Sequence, residues 1–187
     1  MKNVSRTISK LILAAGSLAC IPIGLAQTGT SVNEGDWPNI HGEISSQRYS
    51  PLDQINAENV AELEIAWRFS TKSFGPAADY VNPSTPIEVD GILYANVAST
   101  RNVVALDAIT GQLLWLYRYQ EGDRFDEAPR KGSGRGVSYW TDGDSERIID
   151  VSPGYLMVSL DAKTGIPDPN FGNNGVVDLF VGVRNGD

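Results

Sequence analysis

Of the side chains that do acid–base, nucleophilic or metal chemistry, histidine and cysteine are nearly absent from this 187-residue chain, while carboxylates are plentiful. There is one histidine, His41, and one cysteine, Cys20, which excludes a disulfide framework and any Cys/His zinc site. His41 stands among polar residues near the N-terminus and reads as a surface side chain. The carboxylates Asp107, Asp161, Asp142 and Asp144 invite an acid–base reading, but Asp107 and Asp161 recur at equivalent turn positions, which marks those two as structural. Arg135 differs from the other cations in lying between two glycines, Gly134 and Gly136. A guanidinium fork pairs bidentately with carboxylates, and flanking glycines let the backbone come close to what it binds. The run Gly132-Ser133-Gly134-Arg135-Gly136 is not a phosphate cradle, because Val137-Ser138-Tyr139-Trp140 behind it is strand-like and a cradle needs a helix there. Nearby Arg130 and Lys131 read as solvated cations.

Composition narrows the classes further. With 15 Lys+Arg against 23 Asp+Glu the formal charge is −8, so a nucleic-acid partner is not expected. At 41% hydrophobic and 20% charged the chain is too apolar for a disordered one. Residues 1–26 read as a signal peptide. Lys2, Arg6 and Lys10 form a positive start, Leu11 to Leu25 an apolar stretch broken by Gly16, Pro22 and Gly24, and Gly24-Leu25-Ala26 a small-residue cleavage site. Cleavage after Ala26 removes the only cysteine and leaves residues 27–187 to hold together by packing or by ligands. No second long apolar run follows, so that part is expected to be soluble.

The elements that must position Arg135 are short strands. Asn56 suits the N-cap of one helical turn through Ala57, Glu58 and Val60. Leu63, Ile65, Trp67 and Phe69 alternate as in a half-buried strand, and Asp90-Gly91 is a hairpin turn between Ile87–Val89 and Ile92–Val97. Asn102–Leu106 and Leu113–Tyr119 follow, and no long amphipathic helix appears, so the fold class is all-β.

A repeat organises these strands. Ala105-Leu106-Asp107-Ala108-Ile109-Thr110-Gly111 returns as Ser159-Leu160-Asp161-Ala162-Lys163-Thr164-Gly165 at an offset of 54, without a gap back to residues 92 and 146. Repeats of this length with several strands each predict a β-propeller, one sheet per blade. In each copy the aspartate accepts backbone N–H bonds, the threonine closes the turn locally, and the glycine supplies a positive φ. Trp115 then falls on the next strand, where docking against a neighbouring blade contributes roughly 2–3 kcal/mol. In the second copy Pro169 stands at that position, so the outer strand there is expected to be interrupted or replaced.

These residues carry a family resemblance. Ala105 to Trp115 resembles the tryptophan-docking motif of dehydrogenases dependent on pyrroloquinoline quinone (PQQ), which are eight-bladed propellers. Asp36-Trp37-Pro38 with Arg48 to Asn56, Thr85-Pro86 with Asp90-Gly91, Ser133 to Trp140, and Phe171-Gly172 with Gly175 to Leu179 resemble further family segments in the same order. The resemblance covers nearly all of residues 36–180. It implies that residues 27–187 are the N-terminal part of such an enzyme, a partial β-propeller of about three blades.

The resemblance also implies a chemistry: an alcohol or sugar substrate, hydride transfer to PQQ beside a Ca²⁺ ion, and electrons passed to a membrane quinone or a cytochrome. It places Arg135 against the cofactor, a tricarboxylate. Pro83 stands where several members carry a cofactor-touching glutamate, and Ser84 or Thr85 would substitute for it. The adjacent-cysteine disulfide of some alcohol-oxidising members is absent, which leans towards the sugar-type members. No metal ligand is expected within this chain; the ligands and the catalytic base are expected beyond Asp187, so that residues 27–187 alone would be inactive. Export would place the protein in the periplasm, free or associated with the inner membrane. The competing reading is a non-catalytic envelope propeller that binds protein partners. A scaffold has no need of the Arg135 segment.

Overall fold

The computed structural model describes residues 33, 35–75 and 81–182. The expected signal peptide with Cys20, and residues 183–187, lie outside the described residues. Two four-stranded antiparallel sheets make up the described fold. The first runs β1 (Ile87–Val89), β2 (Ile92–Val97), β3 (Asn102–Asp107) and β4 (Leu113–Tyr117). The second runs β5 (Ser138–Thr141), β6 (Glu146–Val151), β7 (Leu156–Asp161) and β8 (Val176–Asp178). Each sheet is a meander in chain order, the pattern of a propeller blade. The repeat is kept in space: β2 and β6 begin 54 residues apart, and so do β3 and β7.

Alternation along the strands explains how the sheets stack. Val103 and Ala105 on β3 join Ile87, Val89 and Tyr94 in a core shared with Ile148, Val158 and Leu160 of the second sheet. Val104 and Leu106 point the opposite way and meet Trp67, Phe69 and Phe74. Both faces of β3 are therefore covered, and every residue from Asn102 to Leu106 is buried.

The turns hold as their residue types require. Asp90 and Gly91 adopt φ of 50° and 76°, the left-handed pair that a two-residue hairpin needs. Asp107 Oδ1 accepts from the N–H groups of Ile109 (3.1 Å) and Thr110 (2.7 Å) and from Thr110 Oγ1 (2.8 Å). Asp161 Oδ1 repeats the set with Lys163 (3.1 Å), Thr164 (2.8 Å) and Thr164 Oγ1 (2.7 Å). Asp142 likewise accepts from the N–H groups of Asp144 and Ser145 in the β5–β6 turn. These carboxylates are spent on backbone closure.

Each of the two repeat turns receives a tryptophan from the element before it. Trp115 Nε1 donates to Ala162 O at 2.9 Å, and a Cβ on Gly165 would stand 2.6 Å from its ring. Trp67 Nε1 donates to Ala108 O at 3.1 Å and lies as closely on Gly111. Tyr94 Oη adds a second donor to Ala162 O at 3.2 Å. The stretch around Trp67 differs from the alternating strand read in the sequence: residues 63–70 are extended but pair with no strand among the described residues. Trp67 and Phe69 cover the first sheet while Leu63 and Ile65 stay exposed. Asn56 does cap the turn before it, its Oδ1 accepting from the N–H groups of Glu58 and Asn59, with a short 3-10 helix at Val60–Glu62. The outer strand of the second sheet is delayed past Pro169 and shortened to β8, while Pro167 makes an isolated bridge to Leu160.

Trp115→Ala, which removes both the ring and its donor, is expected to lower stability to urea by about 3 kcal/mol. Trp115→Phe, which removes mainly the N–H, is expected to cost about 1 kcal/mol. Equal losses in the two variants would show that the indole hydrogen bond, and not the ring, holds the blades together.

Candidate functional site

Antiparallel strands sort the turns into two ends. The hairpin at Asp90-Gly91 and the aspartate turns at 107–112, 142–145 and 161–165 lie at one end. The start of β1, the β2–β3 turn at 98–101, the long connection 118–137 and the β6–β7 turn at 152–155 lie at the other. Chemistry-bearing residues gather at this second end.

Backbone and side-chain bonds knit its loops together. Thr85 N–H donates to Arg135 O at 3.1 Å, and Gly132 N–H donates to Ser99 O at 2.9 Å. Arg101 donates from Nε to Gly132 O (3.0 Å) and from Nη1 to Val151 O (3.2 Å), tying the glycine-rich loop to the second sheet. Gly136 must be glycine, since its φ is 125° and a Cβ there would stand 2.6 Å from Thr85 O. Strand β5 follows directly, so the loop is no phosphate cradle.

A short helix α1 (Asp123–Glu127) bolts the long connection to the same end. Arg124 pairs with both carboxylate oxygens of Asp178 at 2.6 Å and donates from Nε to Gly154 O at 2.7 Å. Its guanidinium also lies 5.0 Å from the Phe180 ring centre. Glu121 accepts from Ser152 Oγ and from Gly154 N–H. The β6–β7 turn is thereby fixed from two sides.

Between these loops lies a cleft of about 430 Å³ lined by Asn96, Arg101, Gly134, Arg135 and Asp150, among others. Arg135 is exposed, and its guanidinium forms no ion pair among the described residues. Ser84 and Thr85 are its neighbours through the Thr85–Arg135 bond. Ser84 Oγ is buried without a hydrogen-bond partner and lines an adjoining cleft of about 230 Å³ that shares Asn96. The structure thus brings Arg135, Ser84 and Thr85 to one end of the sheets. His41 stands apart from the cleft, its Nε2 3.0 Å from Arg48 Nη2.

Sequence reasoning missed Asn96, Arg101 and Asp150. Asn96 is 1% exposed, and neither its Nδ2 nor its Oδ1 makes a hydrogen bond of normal geometry, although the amide lies beside the Asp150 carboxyl. Asp150 is 6% exposed and accepts from Tyr119 Oη at 3.0 Å. Burial pushes its carboxyl up to about 7, against the Tyr119 bond, the Val151 N–H, Asn96 and the Arg101 charge, all of which favour the ionised form. The repeat held a signal for two of them: Asn96 and Asp150 occupy the same position, next to last in the second strand of each sheet.

The donor set suits a carboxylate-rich ligand: the Arg135 guanidinium, which forms no ion pair among the described residues, the Arg101 guanidinium in the same cleft lining, and a buried amide that makes no hydrogen bond of normal geometry among those residues. A tricarboxylate with quinone oxygens fits these groups. Among the described residues no group of three or more His, Cys, Asp or Glu side chains is placed to hold a metal ion. No step through Ca²⁺ is therefore assigned to them.

Comparison with known proteins follows the same line. The family model for the PQQ-dependent glucose/ethanol/alcohol dehydrogenase β-propeller domain matches residues 37–187. The dehydrogenase subunit of a quinone-dependent alcohol dehydrogenase from Gluconobacter oxydans (strain 621H) is 36% identical over 172 residues, covering 85% of this chain and 21% of the relative. A quinoprotein glucose dehydrogenase from the same organism is 33% identical over 167 residues, covering 81% and 20%. The crystal structure of the quinohemoprotein alcohol dehydrogenase from Comamonas testosteroni superposes with a TM-score of 0.62 at 30% identity, covering 83% of this chain and 21% of that one. The chain spans about a fifth of the length of these relatives.

The Arg124–Asp178 clamp has a pH signature. The Arg124 bonds hold the Asp178 carboxyl down at about 2. Its contribution to stability is then present above the ordinary carboxylate range and lost as pH falls from about 4 towards 2. Urea denaturation of Asp178→Asn beside the parent should show a gap near neutral pH that narrows through that window. A gap independent of pH would mean that the pairing carries no charge component.

Proposed function

Because the chain belongs to the PQQ-dependent glucose/ethanol/alcohol dehydrogenase β-propeller family, we propose that its second, loop-rich end forms part of the cofactor site of a quinoprotein dehydrogenase. The observation that carries this is the cleft lined both by Arg135, whose guanidinium forms no ion pair among the described residues, and by Asn96, whose buried amide makes no hydrogen bond of normal geometry among them. Bound PQQ supplies the acceptor that takes a hydride equivalent from a CH–OH group. Binding and positioning fall to residues of this chain.

Arg135 binds a cofactor carboxylate, in a geometry that its fork favours and that a lysine would not reproduce. Gly134 and Gly136 let the loop pack closely on Arg101 and on the Thr85 backbone, and Arg101 holds that loop in place through Gly132 O. Ser84 and Thr85 stand where the first blade meets the cofactor, Ser84 with an unused hydroxyl. The substrate is an alcohol or a sugar, and electrons pass on to a cytochrome or a membrane quinone. The names of the relatives, an alcohol dehydrogenase (quinone) and a quinoprotein glucose dehydrogenase, support both substrate classes. The Ca²⁺ ligands and the proton-abstracting base belong to other parts of the propeller. Residues 1–26 direct export to the periplasm, where the protein is free or bound at the inner membrane.

Arg135→Ala is expected to raise the Kd for PQQ in the full-length protein by about 10- to 100-fold, the loss of a charge-assisted pair. Arg135→Lys should recover only part of it. Isothermal titration with added Ca²⁺ measures this; an unchanged Kd in the alanine variant would remove Arg135 from the cofactor site.

A further inference from the structure

One group in the cleft opposes its anion-binding character. Asp150 is a carboxyl in the lining of a pocket whose other charged groups are Arg101 and Arg135. It is buried, held by the Tyr119 hydroxyl on one side, and faces the unsatisfied amide of Asn96 on another. Among the described residues it forms no ion pair: Arg101 acts on it by charge but spends Nε and Nη1 on the carbonyls of Gly132 and Val151, and Arg135 is exposed to solvent. An ionised carboxylate so placed would repel a carboxylate ligand at short range and cancel part of the field of two guanidiniums.

We propose that Asp150 sets the affinity of this cleft for carboxylate ligands: as a neutral acid it leaves the field to Arg101 and Arg135, and as a carboxylate it weakens their hold. The proposal rests on the cofactor reading above and assigns to it a residue outside the motifs that suggested it. The titratable and charged groups that act on Asp150 are Tyr119 from the chain after β4 and Arg101 from the β2–β3 turn, and Arg135 from the loop before β5 lines the same cleft. Tyr117 and Glu121 stand one step behind Tyr119. Burial holds the Asp150 proton to near neutral pH, so the change falls well above the range in which ordinary carboxyls titrate. The equivalent position in the first sheet is Asn96, which has the same shape and no charge.

The test is a titration of full-length protein with PQQ, followed by quenching of tryptophan fluorescence at constant Ca²⁺ and ionic strength. Between about pH 6 and about pH 8 the parent protein should lose about tenfold in affinity. Asp150→Asn should hold the tighter value throughout, within about twofold. Tyr119→Phe removes a hydrogen bond that favours the carboxylate, so the midpoint of the change should move to higher pH; a move to lower pH overturns the proposal. A parent affinity that does not depend on pH, or an Asp150→Asn slope equal to the parent's, overturns the proposal while leaving the cofactor reading intact. Should Asp150→Asn fail to fold, an unshifted midpoint in Tyr119→Phe overturns it instead. A parent protein that binds no PQQ at any pH overturns both readings together.

Discussion

The structure depends on one contact made twice: an indole N–H donating to the alanine carbonyl inside an Asp-Ala-x-Thr-Gly turn. The carbonyls of Ala108 and Ala162 are free to accept because the aspartate before each, and the threonine and glycine after, close the turn without them. The glycine adopts a left-handed φ of 70° in both turns and, lacking a Cβ, lets the ring lie flat against the backbone. Trp67 and Trp115 therefore fix the distance from one layer to the next, and the apolar residues between the layers are buried as a consequence.

Docking at one end leaves the other end free to vary. There the turns are irregular, the connection between sheets is long, and order comes from side chains: Arg101 on two carbonyls, Arg124 on Asp178 and Gly154, Glu121 on Ser152 and Gly154. Burying Asn96 and Asp150 under this end costs stability, because an unmet amide and a desolvated carboxyl are both unfavourable. A site that must hold a polar ligand carries such groups unsatisfied until the ligand arrives. The division of labour is clear: rigid turns with spent carboxylates below, unspent polar groups above.

The blade architecture was legible because the repeat is written in local chemistry. Asp107 and Asp161, Thr110 and Thr164, Gly111 and Gly165 each act within four residues, so sequence spacing alone predicted their bonds. Pro169 in place of a tryptophan gave away the delayed β8 for the same reason. The docking of Trp115 on the next blade was legible, but the state of the stretch around Trp67 was not. Trp67 looked like one member of an alternating strand, but strand formation needs a partner backbone, and residues 63–70 have none among the described residues. The cleft was half legible. Arg135 was visible by its glycines and its motif, whereas Asn96 and Asp150 gain their meaning from burial, which no local pattern reports. Aligning the two copies position by position, in addition to their turn motif, pairs Asn96 with Asp150.

The most direct measurement is the structure of the full-length protein with PQQ bound. The predicted result is a cofactor carboxylate within hydrogen-bond distance of the Arg135 guanidinium, at the end of the sheets away from the docked tryptophans. Cofactor density elsewhere, with Arg135 left in solvent, would contradict it.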